Sequence, residues 1–257
     1  MTRTIAVTSQ KGGVAKTTTA ANLAVVWGRA GRSVLCVDLD PQFALTRAFG
    51  CSPSQFGSCT TLDAMRGTVS AQQAAHADVA PGVSLMPAHR DLRGLELALA
   101  GELKREEFLA RTLAPLHGAY DDIIVDCPPN LGLLTVNALF AVREAIVPVS
   151  MVDAGALQGA GEVEATVAML IERDVSIRIT ALVRTMADPR RLTYRALDEA
   201  LRTLRAPIAA TEIPLRAEFH NATVTGVPLA HSAPQSPGAC AYTELADELS
   251  IVTALVA

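Results

Sequence analysis

Thr4-Ile5-Ala6-Val7-Thr8-Ser9-Gln10-Lys11-Gly12-Gly13-Val14-Ala15-Lys16-Thr17-Thr18 is the stretch from which the fold is read. A short apolar run passes into a glycine-rich loop, and a helical period follows over 17–29. Gly12 and Gly13 let the backbone turn its N–H groups toward a phosphate, and the positive end of the following helix adds its dipole. Lys16 can bridge terminal phosphates, and the Thr17 hydroxyl can ligate Mg²⁺. The textual pattern G-x-x-x-x-G-K-[ST] is not met, because its glycine positions hold Gln10 and Ala15. A methyl at position 15 requires a negative φ there. The chain has 19 Arg but only three Lys, namely Lys11, Lys16 and Lys104. Two of those three lie in this loop, where a plain Gly-rich turn has no use for them.

Outward from the loop, strand-like runs at 4–8, 33–37, 83–87, 122–126, 145–149, 177–183 and 208–213 alternate with helical periods at 17–29, 105–116, 131–141, 156–172, 191–204 and 239–255. This alternation predicts a largely parallel sheet covered by helices on both faces, in one domain spanning 1–257. The least regular part, 50–82, carries a short helix around 61–66. The 257 residues, half of them hydrophobic and 19% charged, can bury a sizeable core. The net charge of −4 excludes a generally basic coat, so any nucleic-acid contact comes from a local patch. Five cysteines with no CxxC pair argue against a disulfide framework and a zinc site of that type. MTRTIAVTSQ runs straight into a strand pattern, and no apolar run reaches the ~18 residues of a membrane span. The expected compartment is the cytoplasm.

Two further strands end in acids. Val34-Leu35-Cys36-Val37-Asp38-Leu39-Asp40-Pro41-Gln42 puts Asp38 and Asp40 on one side by alternation, with Pro41 ending the strand. Ile123-Ile124-Val125-Asp126-Cys127-Pro128-Pro129 ends in Asp126. Acids just past the C-terminal ends of parallel strands stand where such sheets bind ligands. Capping of a following helix is the competing role for one acid, and less so for both.

These segments together resemble the ParA/MinD superfamily of ATPases. Lys11-Gly12-Gly13-Val14-Ala15-Lys16-Thr17 is similar to its deviant Walker A motif, KGGxxK[ST], with Ala15 where Gly is usual. The resemblance implies a P-loop NTPase fold, an α/β architecture with a mostly parallel twisted sheet. It also implies ATP and Mg²⁺ held by the loop from Lys11 to Thr18, including Val14, Ala15 and Thr17. In that family the first lysine reaches the partner subunit's ATP, so Lys11 becomes the trans lysine and Lys16 the cis phosphate ligand. Asp38-Leu39-Asp40-Pro41-Gln42 resembles the DxDPQ signature, whose second acid positions the attacking water. That role, or a share of the metal, falls on Asp40. Asp126 takes the Walker B place and holds Mg²⁺ through water, and Asn130, where many relatives have Ser, can cap the next helix. Ala156-Leu157-Gln158-Gly159 resembles the family's ALEG, and Ile213-Pro214 with Gly226-Val227-Pro228 resembles its adenine loop. Pro214 and Arg216 are then the base-side contacts.

Charge narrows the member. Residues 178–216 carry eight Arg against four acids, a local net of +4 against −8 elsewhere. Arg191, Arg195, Arg202 and Arg205 fall near one line of the expected helix, opposite Leu197, Ala200, Leu201 and Leu204. In ParA-type proteins basic residues of this half bind DNA without sequence preference, so these four are the candidate DNA contacts; a solvated face with Asp198–Arg202 pairing is the competing reading. Glu218 stands where the family has a basic residue. The tail Glu244–Leu255 lacks Lys and Arg, unlike a basic membrane helix. Only three residues precede the first strand, as in the short Soj type. The implied protein is a slow, ATP-dependent homodimerisation switch on nonspecific DNA, nucleoid-associated, released by a ParB-like activator and serving chromosome or plasmid partition. Alternatives are positioning another cargo on the nucleoid, or an ATP-dependent small-molecule ligase or synthetase on the same fold.

Overall fold

The strands are β1 (Arg3–Val7), β2 (Val34–Asp38), β3 (His76–Ala80), β4 (Val83–Met86), β5 (Asp122–Asp126), β6 (Glu144–Ser150) and β7 (Arg178–Thr185). In the computed structural model, which describes residues 1–99 and 101–256, they form one sheet ordered β3-β4-β2-β5-β1-β6-β7. Every pairing is parallel except β3 with β4. Helices follow in chain order as α1 (Lys16–Arg29), α2 (Ala44–Ala48), α3 (Thr61–Arg66), α4 (Ala71–Ala74), α5 (Leu92–Leu99) and α6 (Phe108–Leu113). The second half adds α7 (Leu133–Ala141), α8 (Gly155–Ile171), α9 (Leu192–Leu201), α10 (Glu218–Thr225), α11 (Leu229–Ser232) and α12 (Pro237–Val256). Among the described residues no helix is long and apolar enough to cross a membrane.

Alternation along the central strands divides the core in two. Ile5, Val7, Cys36 and Ile124 pack with Leu23 and Val25 of α1 and with Tyr242 and Leu245 of α12. Ala6, Leu35, Val37 and Val125 pack with Leu92 of α5, Leu134 of α7 and Val163 of α8. Both faces are therefore apolar, and the central strands read as continuous hydrophobic runs for that reason. Gly28 lets α1 approach the β3–β4 turn, because a Cβ there would lie 2.3 Å from the Pro81 carbonyl oxygen.

Several expected boundaries shift. The predicted helix over 61–66 matches α3. The helix expected over 105–116 splits into two 3₁₀ turns flanking α6, with Pro115 in the second turn. Residues 208–213 do not extend the sheet as a strand. Ile208 makes one isolated bridge to Leu182, and Pro214 just beyond makes another to Ala187, while the Ala210 and Thr211 N–H groups donate to Glu248 instead of to a strand. β3 was not expected: it is short, half exposed and interrupted by Asp78 at φ 62°. Helices α5, α10 and α11 were also not expected, being short and set between loops.

Candidate active site

β5 lies between β1 and β2, and register places Val7 level with Asp126 and Asp126 level with Asp38. The loop after β1 leads into α1, whose first turn carries no acidic residue and has no side-chain cap. Uncapped N–H groups and the positive helix end suit this turn to an anion. Gly13 and Ala15 both turn left-handed, at φ 75° and 70°. The negative φ expected at Ala15 is therefore wrong: the loop keeps the backbone that glycine normally supplies and strains the alanine, at a cost of about 1 kcal/mol. Thr185, at the end of β7, steadies this turn by donating its hydroxyl to the Val14 carbonyl at 3.0 Å.

A cavity of about 470 Å³ opens above these strand ends. Gly12, Gly13, Ala15, Lys16, Thr17 and Thr18 line one end, with Asp40 and Pro129 beside them. Pro214 and Arg216 line the other end, joined by Met186, Phe219, His220 and Thr223. The Lys16 ammonium donates to the Lys11 carbonyl at 2.9 Å, and burial pushes its pKa down against the opposing pull of Asp126. Lys11 behaves differently. It does not line the cavity; its half-exposed ammonium lies 3.4 Å from Asp153 on the approach to α8.

The three acids separate by environment. Asp38 is fully buried and accepts from the Thr46 N–H, the Thr46 hydroxyl and the Asp40 N–H at 2.8, 2.7 and 3.1 Å. Burial, against those three bonds, pushes its pKa up to about 7. It holds α2 to β2 and does not reach the cavity. Asp40 does reach it, with one oxygen accepting from the Gln42 N–H at 2.9 Å. Asp126 stands behind Thr17, whose hydroxyl donates to its Oδ2 at 2.6 Å. Its Oδ1 is buried with no hydrogen-bond partner, and burial pushes its pKa well up.

Mg²⁺ fits this donor set. Thr17 and Asp40 line the cavity, and the orphaned Asp126 oxygen stands buried just behind Thr17; all three side chains offer hard oxygen donors. Among the described residues no group of three or more His, Cys, Asp or Glu forms a metal cage. Mg²⁺ takes one or two protein oxygens and completes its shell with phosphate and water.

Two expectations need correction. Asn130 does not cap α7: Gly132 occupies the N-cap position, and the first-turn Leu134 N–H is bonded by Glu96 Oε1 at 3.2 Å. Asn130 Oδ1 instead accepts from Gly132 N–H two residues on. The four-arginine helical stripe is also shorter than expected. Arg191 is the N-cap and Arg202 the C-cap of α9, and Arg205 lies beyond it. A turn at 202–203 and a bend over 204–206, pinned where Glu164 accepts from the Arg205 and Ala206 N–H groups, end the helix early. Arg191, Arg195, Arg202 and Arg205 are nevertheless all exposed. Arg190, absent from the expected set, is 90% exposed and shares Asp188 with Arg191. Phe219, His220 and Thr223 were missed because the helix that presents them was not predicted; an aromatic side chain seven residues before Gly226-Val227-Pro228 was the available signal.

Residues 2–179 match the family model described as an AAA domain. The chain belongs to the Soj/ParA-type ATPases. It is 34% identical to the sporulation initiation inhibitor protein Soj of Bacillus subtilis, over 97% of this chain and 99% of that protein. It is 36% identical to the chromosome-partitioning ATPase Soj of Thermus thermophilus, over 96% and 95% of the two chains. Cobyrinic acid a,c-diamide synthase from Mycobacterium smegmatis, solved with an ATP analog and magnesium, superposes with a TM-score of 0.83 at 35% identity, covering 96% of this chain and 93% of that one. This Soj/ParA-type protein is an ATPase that uses ATP and Mg²⁺, built on an α/β P-loop NTPase fold.

Proposed function

We propose that this ATPase, acting as one domain, is an ATP-dependent dimerisation switch that holds nonspecific DNA and serves chromosome or plasmid partition. The observation that carries the reading is Lys11. A lysine of the phosphate loop that leaves its own cavity and rests, half exposed, against Asp153 is free to act on a second copy's nucleotide. Lys16 and the N–H groups of Gly12–Thr18 hold the triphosphate in cis, and Pro214, Arg216 and Phe219 enclose the base. Asp126 and Thr17 hold Mg²⁺, which when bound neutralises charge on the phosphate oxygens. Asp40 orients the attacking water and accepts its proton. Asp38 is left out of the chemistry, because all its contacts are structural. A ParB-like protein accelerates turnover and releases the dimer from the nucleoid; the same switch can carry another cargo.

DNA contact falls to the exposed arginines around α9, with Arg190 added to Arg191, Arg195, Arg202 and Arg205. Glu218 contributes nothing to it, since its carboxylate accepts from the Gly238 N–H at 2.7 Å and ties α10 to the start of α12. Four phosphate contacts give a salt slope of roughly −3.6, or about a hundredfold loss of affinity from ~50 to ~200 mM salt. The test is binding of a random-sequence duplex with and without Mg-ATP across that range. Binding that needs ATP, has this slope, and loses much of it in an Arg191, Arg195, Arg202 triple alanine variant supports the reading. A slope unchanged in that variant moves the DNA site elsewhere.

A second reading is favoured by the 35% identity to a diamide synthase. It predicts a further polar substrate pocket and turnover indifferent to DNA. ATP turnover measured with and without plasmid DNA separates the two.

A further inference from the structure

The end of β7 touches the phosphate loop, α9 and the segment before Pro214. Alternation sends consecutive side chains to opposite sides of a strand. Thr185 bonds the Val14 carbonyl of the phosphate loop at 3.0 Å. Its neighbour Arg184, with a side chain only 9% exposed, turns the other way into the base of α9. There its Nε donates to Asp198 of α9 at 2.7 Å, and its Nη1 donates to the Ala209 carbonyl at 3.0 Å and lies 3.3 Å from Glu212. The network closes on itself. Asp198 also accepts from Arg202 at 3.0 Å, and Glu212 accepts from the hydroxyl of Tyr194 on α9. The Arg184 carbonyl in turn accepts from the Ile213 N–H at 2.9 Å, directly before Pro214 of the cavity.

Beside the Arg184 contacts and the Tyr194 bond to Glu212, α9 is held by its apolar face. Among its residues only Leu201 is fully buried. Asp198 and Leu201 stand three positions apart on one face of α9, so the Arg184 guanidinium and the buried leucine anchor that face together, and the guanidinium supplies its polar, directional hold. Arg suits the place, since its planar fork serves several acceptors at once where a lysine ammonium could not hold the same geometry.

We propose that Arg184 is a positioning residue that ties the orientation of α9 to the state of the nucleotide cavity, so that ATP sets the affinity of the basic surface for DNA. The Thr185–Val14 and Ile213–Arg184 bonds carry a shift of the phosphate or base loop into β7, and the guanidinium passes it to Asp198 and Glu212. This rests on the reading that the arginines around α9 bind DNA. Linkage makes the coupling reciprocal: whatever factor ATP adds to DNA affinity, DNA adds to ATP affinity.

The experiment compares wild type, Arg184→Met and Arg184→Lys with a non-hydrolysable ATP analogue and Mg²⁺. One measurement is affinity for a random-sequence duplex with and without the analogue; the other is amide hydrogen exchange over 192–201. Arg184→Met is expected to bind the analogue within about threefold of wild type while the analogue-dependent gain in DNA affinity falls by about tenfold. Exchange in α9 should respond to the analogue in wild type and not in the variant, and Arg184→Lys should recover part of both. An undiminished gain in Arg184→Met overturns the proposal, as does α9 exchange that ignores the analogue in wild type. Should wild type bind no DNA at all, the DNA reading fails, and the exchange measurement alone decides the coupling. Should Arg184→Met not fold, Glu212→Gln replaces it: a reduced response supports the proposal, and a full wild-type response overturns it.

Discussion

Thr17 donates its hydroxyl to Asp126 Oδ2 at 2.6 Å, and the other oxygen of that carboxylate is buried with no partner. A buried, half-satisfied carboxylate behind a helix-opening threonine is costly unless a cation completes it. Asp126→Asn is therefore expected to leave the nucleotide-free protein as stable as wild type or more so. It should also remove the Mg²⁺ dependence of the stabilisation that ATP confers. That stabilisation is about 2.7 kcal/mol when ligand is at a hundred times its Kd. Thermal melts with ATP, with and without Mg²⁺, provide the check; a variant that keeps the full Mg²⁺ response would remove Asp126 from the metal site.

Lys16 and Lys11 should separate. Lys16→Ala removes a cation buried at the phosphate end and should abolish the ATP-induced rise in melting temperature. Lys11→Ala should retain most of that rise, because Lys11 stands outside the cavity, while losing the ATP-dependent dimer on gel filtration. Equal ATP binding by both variants would undo the cis and trans assignment.

Asp40→Ala should still bind ATP and still dimerise but release phosphate at a small fraction of the wild-type rate. Orienting a nucleophile serves turnover and adds little to ground-state affinity. Gel filtration with ATP beside a phosphate-release assay tests this. Failure to dimerise would make Asp40 structural or a metal ligand.

Ala15→Gly should stabilise the chain by about 1 kcal/mol, since the alanine sits at φ 70° with a methyl that glycine lacks. Chemical denaturation gives the difference, and a destabilised variant would mean that the methyl contributes packing greater than its strain.

Asp198 carries a pH signature. Burial pushes its pKa up, but hydrogen bonds and charge from Arg184 and Arg202 outweigh this and hold it below the usual carboxylate value. A depressed folded pKa means that the unfolded chain binds the proton first, so the contribution is present above the unfolded value near 3.8 and is lost as pH falls through the folded value. Asp198→Asn should show a shallower loss of stability in acid than wild type below about pH 4. Identical acid profiles would remove Asp198 from the ion-pair network.

The sequence by itself determined the alternating architecture and the phosphate loop. Both depend on local facts: apolar runs of strand length, a helix period, and residues that must be contiguous to wrap one phosphate group. It also brought forward Asp38, Asp40 and Asp126 as strand-end acids. What it could not do was sort them, because Asp38 is set apart from Asp40 by tertiary contacts, above all Thr46 of α2 folded onto it. The base end of the cavity was half legible for the same reason. Pro214 and Arg216 lie in a turn that the sequence marks, whereas Phe219 and His220 enter from a helix whose position depends on α12 and Tyr242 packing against it. The length of the arginine stripe was likewise decided by Glu164 of α8 capturing the backbone of residues 205–206. Arg184 was counted in the sequence only as one more positive charge. Its role as a strut arises because the fold buries it between Asp198, Ala209 and Glu212, segments 14 to 28 positions away that only the tertiary structure brings to one guanidinium.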